Sequence, residues 1–158
     1  MGISYNHENS GHKDSLEVGQ SFEDFVCIEL SKQNIILQNI SSKKFQWETG
    51  ENLQGFEIKY DSRCTGDNRT EATNRLSIEI AEKTNAQNQN YIPSGIYRSD
   101  NSWLYIQGNY MQFWIFPKNL LVMLHKSNRY DESEMPTIRK FYLPISDADK
   151  FCAKKIIP

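Results

Sequence analysis

A chain of 158 residues that is 38% hydrophobic and 24% charged has the size and composition of one globular domain, and its longest apolar runs are too interrupted to predict a membrane span. The formal net charge of −2 argues against a protein that coats nucleic acid through bulk attraction, although it is compatible with a local basic groove. Three widely spaced cysteines and the lack of an apolar leader predict free thiols and a cytoplasmic location.

The chain begins with a polar segment, residues 1–17, which we expect to be flexible and distinct from a single domain over residues 18–158. The domain opens with a predicted helix that starts near Ser21, where Asp24 completes an approximate capping box, and ends near Lys32. One face of this helix carries apolar residues at helical spacing: Phe22, Val26 and Leu30.

Alternating or β-branched apolar residues predict several strands in the centre of the chain. One or both of the segments 34–40 and 44–49 have this composition. Further strands are predicted at residues 55–60, 76–81, 103–107 and 110–116. The last two are expected to form a hairpin around a two-residue loop, Gly108-Asn109, because glycine in the first position suits a type II′ turn.

Two helices and a short strand are predicted after this hairpin. Pro117 ends the preceding strand, and a helix begins with three leucines, Leu120, Leu121 and Leu124. Residues 141–145 have the pattern of a short edge strand, and residues 146–156 that of a final helix. Helices before and after a group of strands indicate an α/β or α+β domain built around one mixed sheet.

The predicted strand 55–60 carries the most informative pattern of the chain. Its period of two places Phe56, Ile58 and Tyr60 on one face, and Glu57 and Lys59 together on the other. Glu51 precedes this strand and can bring a second carboxylate toward Glu57. Two acids beside one lysine form a candidate Mg²⁺ (or Mn²⁺) site, because hard divalent cations bind carboxylate oxygens.

The order Gly19, Phe22, Glu23, an apolar helix, Glu51 and then Glu57-Ile58-Lys59 resembles the PD-(D/E)XK nuclease superfamily, over residues 19 to about 83. The layout is most similar to the Holliday junction resolvases, whose first helix carries a Gly-x-x-Phe-Glu motif. The resemblance implies a restriction endonuclease-like fold, with a central mixed sheet flanked by helices, and metal-dependent hydrolysis of DNA by an enzyme that acts as a homodimer.

The same resemblance implies a role for each matching residue. Glu51 and Glu57 would bind the metal, with Glu23 approaching from the first helix, and Lys59 would orient the attacking water or stabilise charge on the phosphate. Glu51 stands where the family has an aspartate, and Gly50 where it has a proline.

Other residues extend this candidate site. Glu79 lies on the polar face of the next strand, where antiparallel pairing would place it beside Glu57 as an additional ligand or leave it a surface acid. Asp61 shares the face of Glu57 but is expected outside the metal site, at the end of its strand. Basic residues around the motif are candidates for contacts with DNA phosphates: Lys43, Lys44, Arg63, Arg69 and Arg75.

Two other interpretations remain open from the sequence. The chain could keep the nuclease fold without its chemistry and bind nucleic acid or a protein partner. The Glu-x-Lys pattern could also be a coincidence on an amphipathic strand of an unrelated α+β protein, since any exposed strand face can carry an ion pair.

Overall fold

The structure, a computed structural model, describes residues 10–37, 55–66 and 71–158. Within those residues it contains three α-helices and two four-stranded sheets, which make a mixed α/β domain. The mixed class is therefore confirmed, but the prediction of one central sheet is wrong. None of the helices in the described part of the chain is both long enough and apolar enough to cross a membrane.

The helices are α1 (Ser10–Ser31), α2 (Lys118–Lys126) and α3 (Ile145–Phe151), and a 3-10 helix spans Gly95–Tyr97. The first helix begins earlier than predicted, so the expected boundary after residue 17 lies inside it. The hydroxyl of Ser21, predicted to cap the helix, instead donates to a backbone carbonyl one turn back in the same helix.

The first sheet has the strand order β1-β4-β5-β8. Its strands are β1 (Phe56–Tyr60), β4 (Leu104–Gly108), β5 (Phe113–Pro117) and β8 (Lys154–Ile156). β1 runs parallel to β4, and the other pairs are antiparallel. In the parallel register Glu57 lies beside Tyr105 and Lys59 beside Gln107, so these four side chains share one face of the sheet.

The second sheet is antiparallel, with the order β3-β2-β7-β6. Its strands are β2 (Arg75–Glu82), β3 (Ile92–Pro93), β6 (Glu132–Glu134) and β7 (Ile138–Pro144). β7 lies between β2 and β6, so the prediction that this segment is an edge strand is wrong. The edge of β2 that faces away from β7 is paired with β3 at one end only.

Two further predictions differ from the structure. The β4–β5 hairpin is confirmed, but Gly108 belongs to the ladder opposite Phe113, and the Asn109 side chain organises a longer loop by accepting hydrogen bonds from two backbone amides. The final helix ends at Phe151, and β8 follows it. Residues 34–37 form no strand, whereas 38–50 lie outside the described residues.

Two buried clusters position the strands. Phe22, Val26 and Leu30 of α1 are fully buried against the outer face of the first sheet, which includes Ile58. The second cluster lies on the opposite face and joins Tyr105 of β4 to the apolar residues of β2, β7 and α2. Burial of each large apolar side chain contributes roughly 1.5–3 kcal/mol, so this packing fixes the face that each β1 residue presents.

Because side chains alternate along β1, packing of Ile58 against α1 turns Glu57 and Lys59 toward the second sheet. The polar face of β1 is therefore enclosed between the two sheets.

Candidate functional site

The Glu57-Lys59 pair lies on one wall of β1, as the alternation predicts. The Glu57 side chain is fully buried, and its Oε1 lies 3.2 Å from Lys59 Nζ. Its Oε2 lies 4.0 Å from Nζ of Lys118, the first residue of α2. Glu57 therefore faces two ammonium groups from different elements, and the Lys59 side chain retains 28% of its exposure.

A cavity of about 400 Å³ lies between the two sheets, and we call it the inter-sheet cavity. Lys59 of β1, Asp61 just after β1, and Glu79 of β2 line it. Four cationic side chains line this cavity: Lys59, Arg63, Arg75 and Lys140. Cations therefore outnumber the two carboxylates there, although the whole chain carries a net charge of −2.

Asp61 joins the two sheets. Its Oδ2 accepts hydrogen bonds from the Ser77 backbone N–H at 2.8 Å and from Gln107 Nε2 at 2.9 Å. Gln107 Nε2 also donates to the Ser77 carbonyl at 2.9 Å. Asp61 and Gln107 thus satisfy the backbone N–H and C=O of Ser77 at the edge of β2. The other carboxylate oxygen of Asp61, Oδ1, takes part in none of these hydrogen bonds.

The turn after β3 holds Glu79. The buried Ser94 hydroxyl donates to Glu79 Oε1, and the Ser94 backbone N–H donates to the Ile80 carbonyl at 3.2 Å. Gly95 has a φ of +54°, and a Cβ there would stand 2.2 Å from the Glu79 carbonyl oxygen. Only glycine fits this approach. In the ladder Glu79 pairs with Lys140, so the predicted pairing of Glu79 with Glu57 is wrong.

Two residues of β4 that line the cavity keep a buried polar atom without a hydrogen-bond partner among the described residues: the Tyr105 hydroxyl and Oε1 of Gln107. Burial, followed by the charges of Glu57, Glu79 and Asp61, raises the pKa of Tyr105 well above its usual value. Tyr105 is therefore a neutral donor facing three carboxylates. A buried group of this kind costs about 1–3 kcal/mol unless water, an ion or a ligand satisfies it.

The other predicted site residues lie in a second groove, in the inter-sheet cavity or outside the described residues. Glu23 lines a separate groove of about 580 Å³ between α1 and β1, which Lys59 also lines. Arg63 and Arg75 line the inter-sheet cavity, and the Arg75 guanidinium lies 3.7 Å above the ring of Tyr142. Four predicted site residues lie outside the described residues: Lys43, Lys44, Glu51 and Arg69.

Sequence reasoning missed several residues of the cavity. The period of two already placed Asp61 on the face of Glu57, but its position at the strand end led to its exclusion from the site. Tyr105 and Gln107 alternate in a predicted strand, and Lys118, which contacts Glu57 but does not line the cavity, follows the strand-ending proline. Their proximity to β1 depends on the parallel β1–β4 register, for which the sequence carries no local signal.

The oxygen donors that line the inter-sheet cavity are few. Within residues 10–37, 55–66 and 71–158, no three His, Cys, Asp or Glu side chains stand close enough together to hold a metal ion. Mg²⁺ needs only one or two carboxylates, since it keeps several waters and binds substrate phosphates. Asp61 and Glu79 line the cavity and carry hard oxygen donors of this kind.

No known protein family, no curated protein and no solved structure matches this chain.

Proposed function

We propose that this protein is a metal-dependent endonuclease that hydrolyses phosphodiester bonds of DNA at the inter-sheet cavity. The observation that carries the proposal is one cavity lined by Lys59, Asp61 and Glu79 together with Tyr105 and Gln107, which keep buried polar atoms without a hydrogen-bond partner among the described residues. Cationic side chains outnumber acidic ones along the lining of this cavity. The order of Glu23 on the first helix and Glu57-Ile58-Lys59 on β1 supports a variant of the PD-(D/E)XK nuclease fold.

The metal role moves from Glu57 to Asp61 and Glu79 in this proposal. The Glu57 side chain is fully buried, pairs with Lys59 and Lys118, and does not line the inter-sheet cavity, so it is out of reach of a metal bound there. Asp61 and Glu79 line the cavity. Bound there, Mg²⁺ would neutralise the scissile phosphate and lower the pKa of a coordinated water.

Three other side chains of the protein act on the substrate in this proposal. Lys59, oriented by Glu57, presents a compact positive charge to the phosphate as negative charge develops on it. The neutral Tyr105 hydroxyl donates a hydrogen bond to a phosphate oxygen or to the attacking water. Arg75, whose guanidinium lies over the Tyr142 ring, provides a preorganised fork for a neighbouring phosphate.

Cleavage of supercoiled plasmid and of single-stranded DNA in Mg²⁺ or Mn²⁺ tests the proposal. We expect the wild-type protein to cut, EDTA to stop it, and Lys59→Met to lower the rate by about 100-fold, the effect of removing one group that stabilises developing charge. Lys154→Met is the matched control, because Lys154 is exposed on β8 at the far edge of the same sheet. No cleavage by wild type, or equal cleavage by Lys59→Met, rejects the assignment.

The second candidate is a nuclease-fold module that binds nucleic acid without cutting it. The observation in its favour is that Asp61 already serves the structure by joining Ser77 to Gln107. Such a module would bind DNA through the cationic side chains that line the inter-sheet cavity, without added metal. Salt-dependent DNA binding that persists in EDTA, with no cleavage under any metal, favours this candidate over the enzyme.

The nuclease proposal carries two further expectations. A homodimer would present two sites to the two strands of a duplex, and sedimentation of the purified protein at micromolar concentration checks this. A sedimenting species with the mass of one chain contradicts the dimer. We also propose a cytoplasmic location, where cellular DNA is accessible.

A further inference from the structure

An aromatic side chain, Tyr110, stands at the surface in the loop between β4 and β5, supported by other rings. The centroid of its ring lies 4.7 Å from that of Phe25 and 5.6 Å from that of Tyr60. The ring of Phe22, which is fully buried, lies 5.5 Å from it, whereas Tyr110 itself is 43% exposed. Tyr110 is thus packed against α1 and β1 and still presents part of its surface to solvent.

The buried side chain of Asn109 fixes the loop that carries Tyr110. Its Oδ1 accepts hydrogen bonds from the backbone N–H groups of Met111 at 2.9 Å and Gln112 at 3.3 Å. Its Nδ2 donates to the Thr65 carbonyl at 3.1 Å, which ties the loop to the segment after β1. A ring held in advance in this way loses little conformational entropy when a ligand contacts it.

Tyr110 is linked to the inter-sheet cavity through Tyr60. The side chain of Tyr60 is half-buried, and it lines the cavity as well as the groove between α1 and β1. Four cationic side chains line the same cavity. A cationic surface next to an exposed aromatic ring is the combination that binds single-stranded nucleic acid, because every nucleotide offers a phosphate and the flat face of a base.

We infer that Tyr110 stacks on an unpaired base of a DNA strand whose phosphates bind the cations of the inter-sheet cavity. That the ligand is DNA rests on the proposed function, and the inference adds the class of substrate, which is DNA with unpaired nucleotides. In a duplex each base is paired and stacked on its neighbours, so its face meets a protein ring only after unstacking, which costs free energy. A strand with unpaired bases satisfies the charge and the ring together.

Fluorescence anisotropy in EDTA tests the inference without cleavage, with a labelled oligothymidine strand and an abasic strand of the same length as probes. Wild type should bind oligothymidine at least about 10-fold more tightly than the abasic strand, the usual effect of one stacked base. Tyr110→Leu keeps an apolar side chain in the loop but has no aromatic face. It should lower the affinity for oligothymidine about 10-fold and leave that for the abasic strand within about twofold. Tyr110→Phe, which keeps the ring, should bind both strands as wild type does.

Two control variants separate stacking from charge and from a general loss of aromatic surface. Arg63→Met removes a cation from the lining of the cavity and should weaken the binding of both strands by the same factor. Trp103→Leu removes a ring that is 60% exposed and lies at the opposite end of β4 from Tyr110. This change should leave both affinities within about twofold of wild type.

Equal affinities of wild type and Tyr110→Leu for oligothymidine overturn the inference, and so does an equal loss on both strands. If Tyr110→Leu splits a wild-type dimer in sedimentation and leaves DNA binding unchanged, the ring is a contact between copies of the chain and the inference fails. A protein that shows the expected binding but never cuts DNA in Mg²⁺ or Mn²⁺ rejects the endonuclease proposal and supports the stacking. Wild type that binds neither strand rejects both.

Discussion

Two polar networks of this protein differ in how completely they are paired. The His125 network is formed by Tyr97, His125, Glu132 and Arg139. In it, Tyr97 Oη lies 2.6 Å from His125 Nδ1, His125 Nε2 contacts Glu132 Oε1, and Arg139 donates to Glu132 Oε2 at 3.0 Å. Each ring nitrogen and each carboxylate oxygen of the network thus has a partner.

The inter-sheet cavity is also lined by charged and polar side chains, yet Tyr105 and Gln107 keep buried atoms without a hydrogen-bond partner among the described residues. A saturated network of hydrogen bonds stabilises a fold, whereas buried groups left unpaired mark the place where local rules are broken for a ligand. The contrast teaches that the cavity, and not the histidine, is the place to look for chemistry.

The largest expected effect separates the two networks by activity. Glu79→Gln removes a carboxylate from the cavity and should lower DNA cleavage by at least about 100-fold, because a proposed ligand of the Mg²⁺ that neutralises the phosphate is lost. Glu132→Gln makes the same chemical change in the His125 network and should leave cleavage within about twofold. Equal losses in the two variants, measured as kcat/KM on one substrate, would erase the distinction.

The second effect separates the networks by stability. His125→Ala removes contacts to Tyr97 and Glu132 and the packing of the ring 5.2 Å from Phe141, so it should lower the free energy of unfolding by about 2 kcal/mol. Urea denaturation at pH 7 measures this change. Cleavage at a temperature where the variant stays folded should match wild type, and a large loss of activity there would show that the histidine belongs to the site.

A smaller effect of opposite sign is expected at Tyr105. Tyr105→Phe removes a buried hydroxyl that has no partner among the described residues, so it should raise the stability of the ligand-free protein by about 1 kcal/mol. The same change should lower cleavage about 10-fold, because a donor to the substrate is lost. Thermal unfolding and kinetics on one preparation check both signs, and a less stable variant would indicate that the hydroxyl serves the fold.

The smallest effect concerns pH. The hydrogen bond from His125 lowers the pKa of Glu132 below its ordinary 4.5, against a partial desolvation that raises it, and the charges of His125 and Arg139 lower it further. The folded state therefore favours the carboxylate, and this stabilisation is present above pH 4.5 and is lost as the pH falls through the lowered value.

Since the Glu132 side chain is 37% exposed, solvent screening keeps the contribution below about 1 kcal/mol. Urea unfolding of wild type and Glu132→Gln between pH 3 and pH 7 measures it. The two curves should differ above pH 5 and converge toward pH 3, and a gap that widens at low pH would contradict the assigned cause.

Local patterns in the sequence predicted what depends on neighbours in the chain. The alternation of Glu57 and Lys59 on β1 is confirmed, as are the stripe of Phe22, Val26 and Leu30 on α1 and the β4–β5 hairpin. Each of these follows from the residue period of a strand (about 2) or of a helix (about 3.6). Burial of the apolar residues fixes which side chains share a face, whatever the position of the element in the fold.

Features that depend on distant pairing were not predictable in this way. The Glu79 strand lies in a second sheet, so the carboxylate near it comes from Asp61 and not from pairing with Glu57. The segment 154–156 pairs with β5 as a strand, although the final helix was predicted to continue through it to residue 156. Such pairings are decided by tertiary contacts that override local propensity.

The bridge from Asp61 and Gln107 to Ser77 has a consequence for solubility. A strand edge with free N–H and C=O groups recruits strands from other chains, and two side chains close that edge at Ser77. Asp61→Ala would free the Ser77 backbone N–H at this strand edge and should favour aggregation. Glu79→Gln leaves the hydrogen bonds at Ser77 in place. Asp61 therefore also protects the protein against self-association. Glu79→Gln is the better variant for obtaining an inactive protein that does not aggregate.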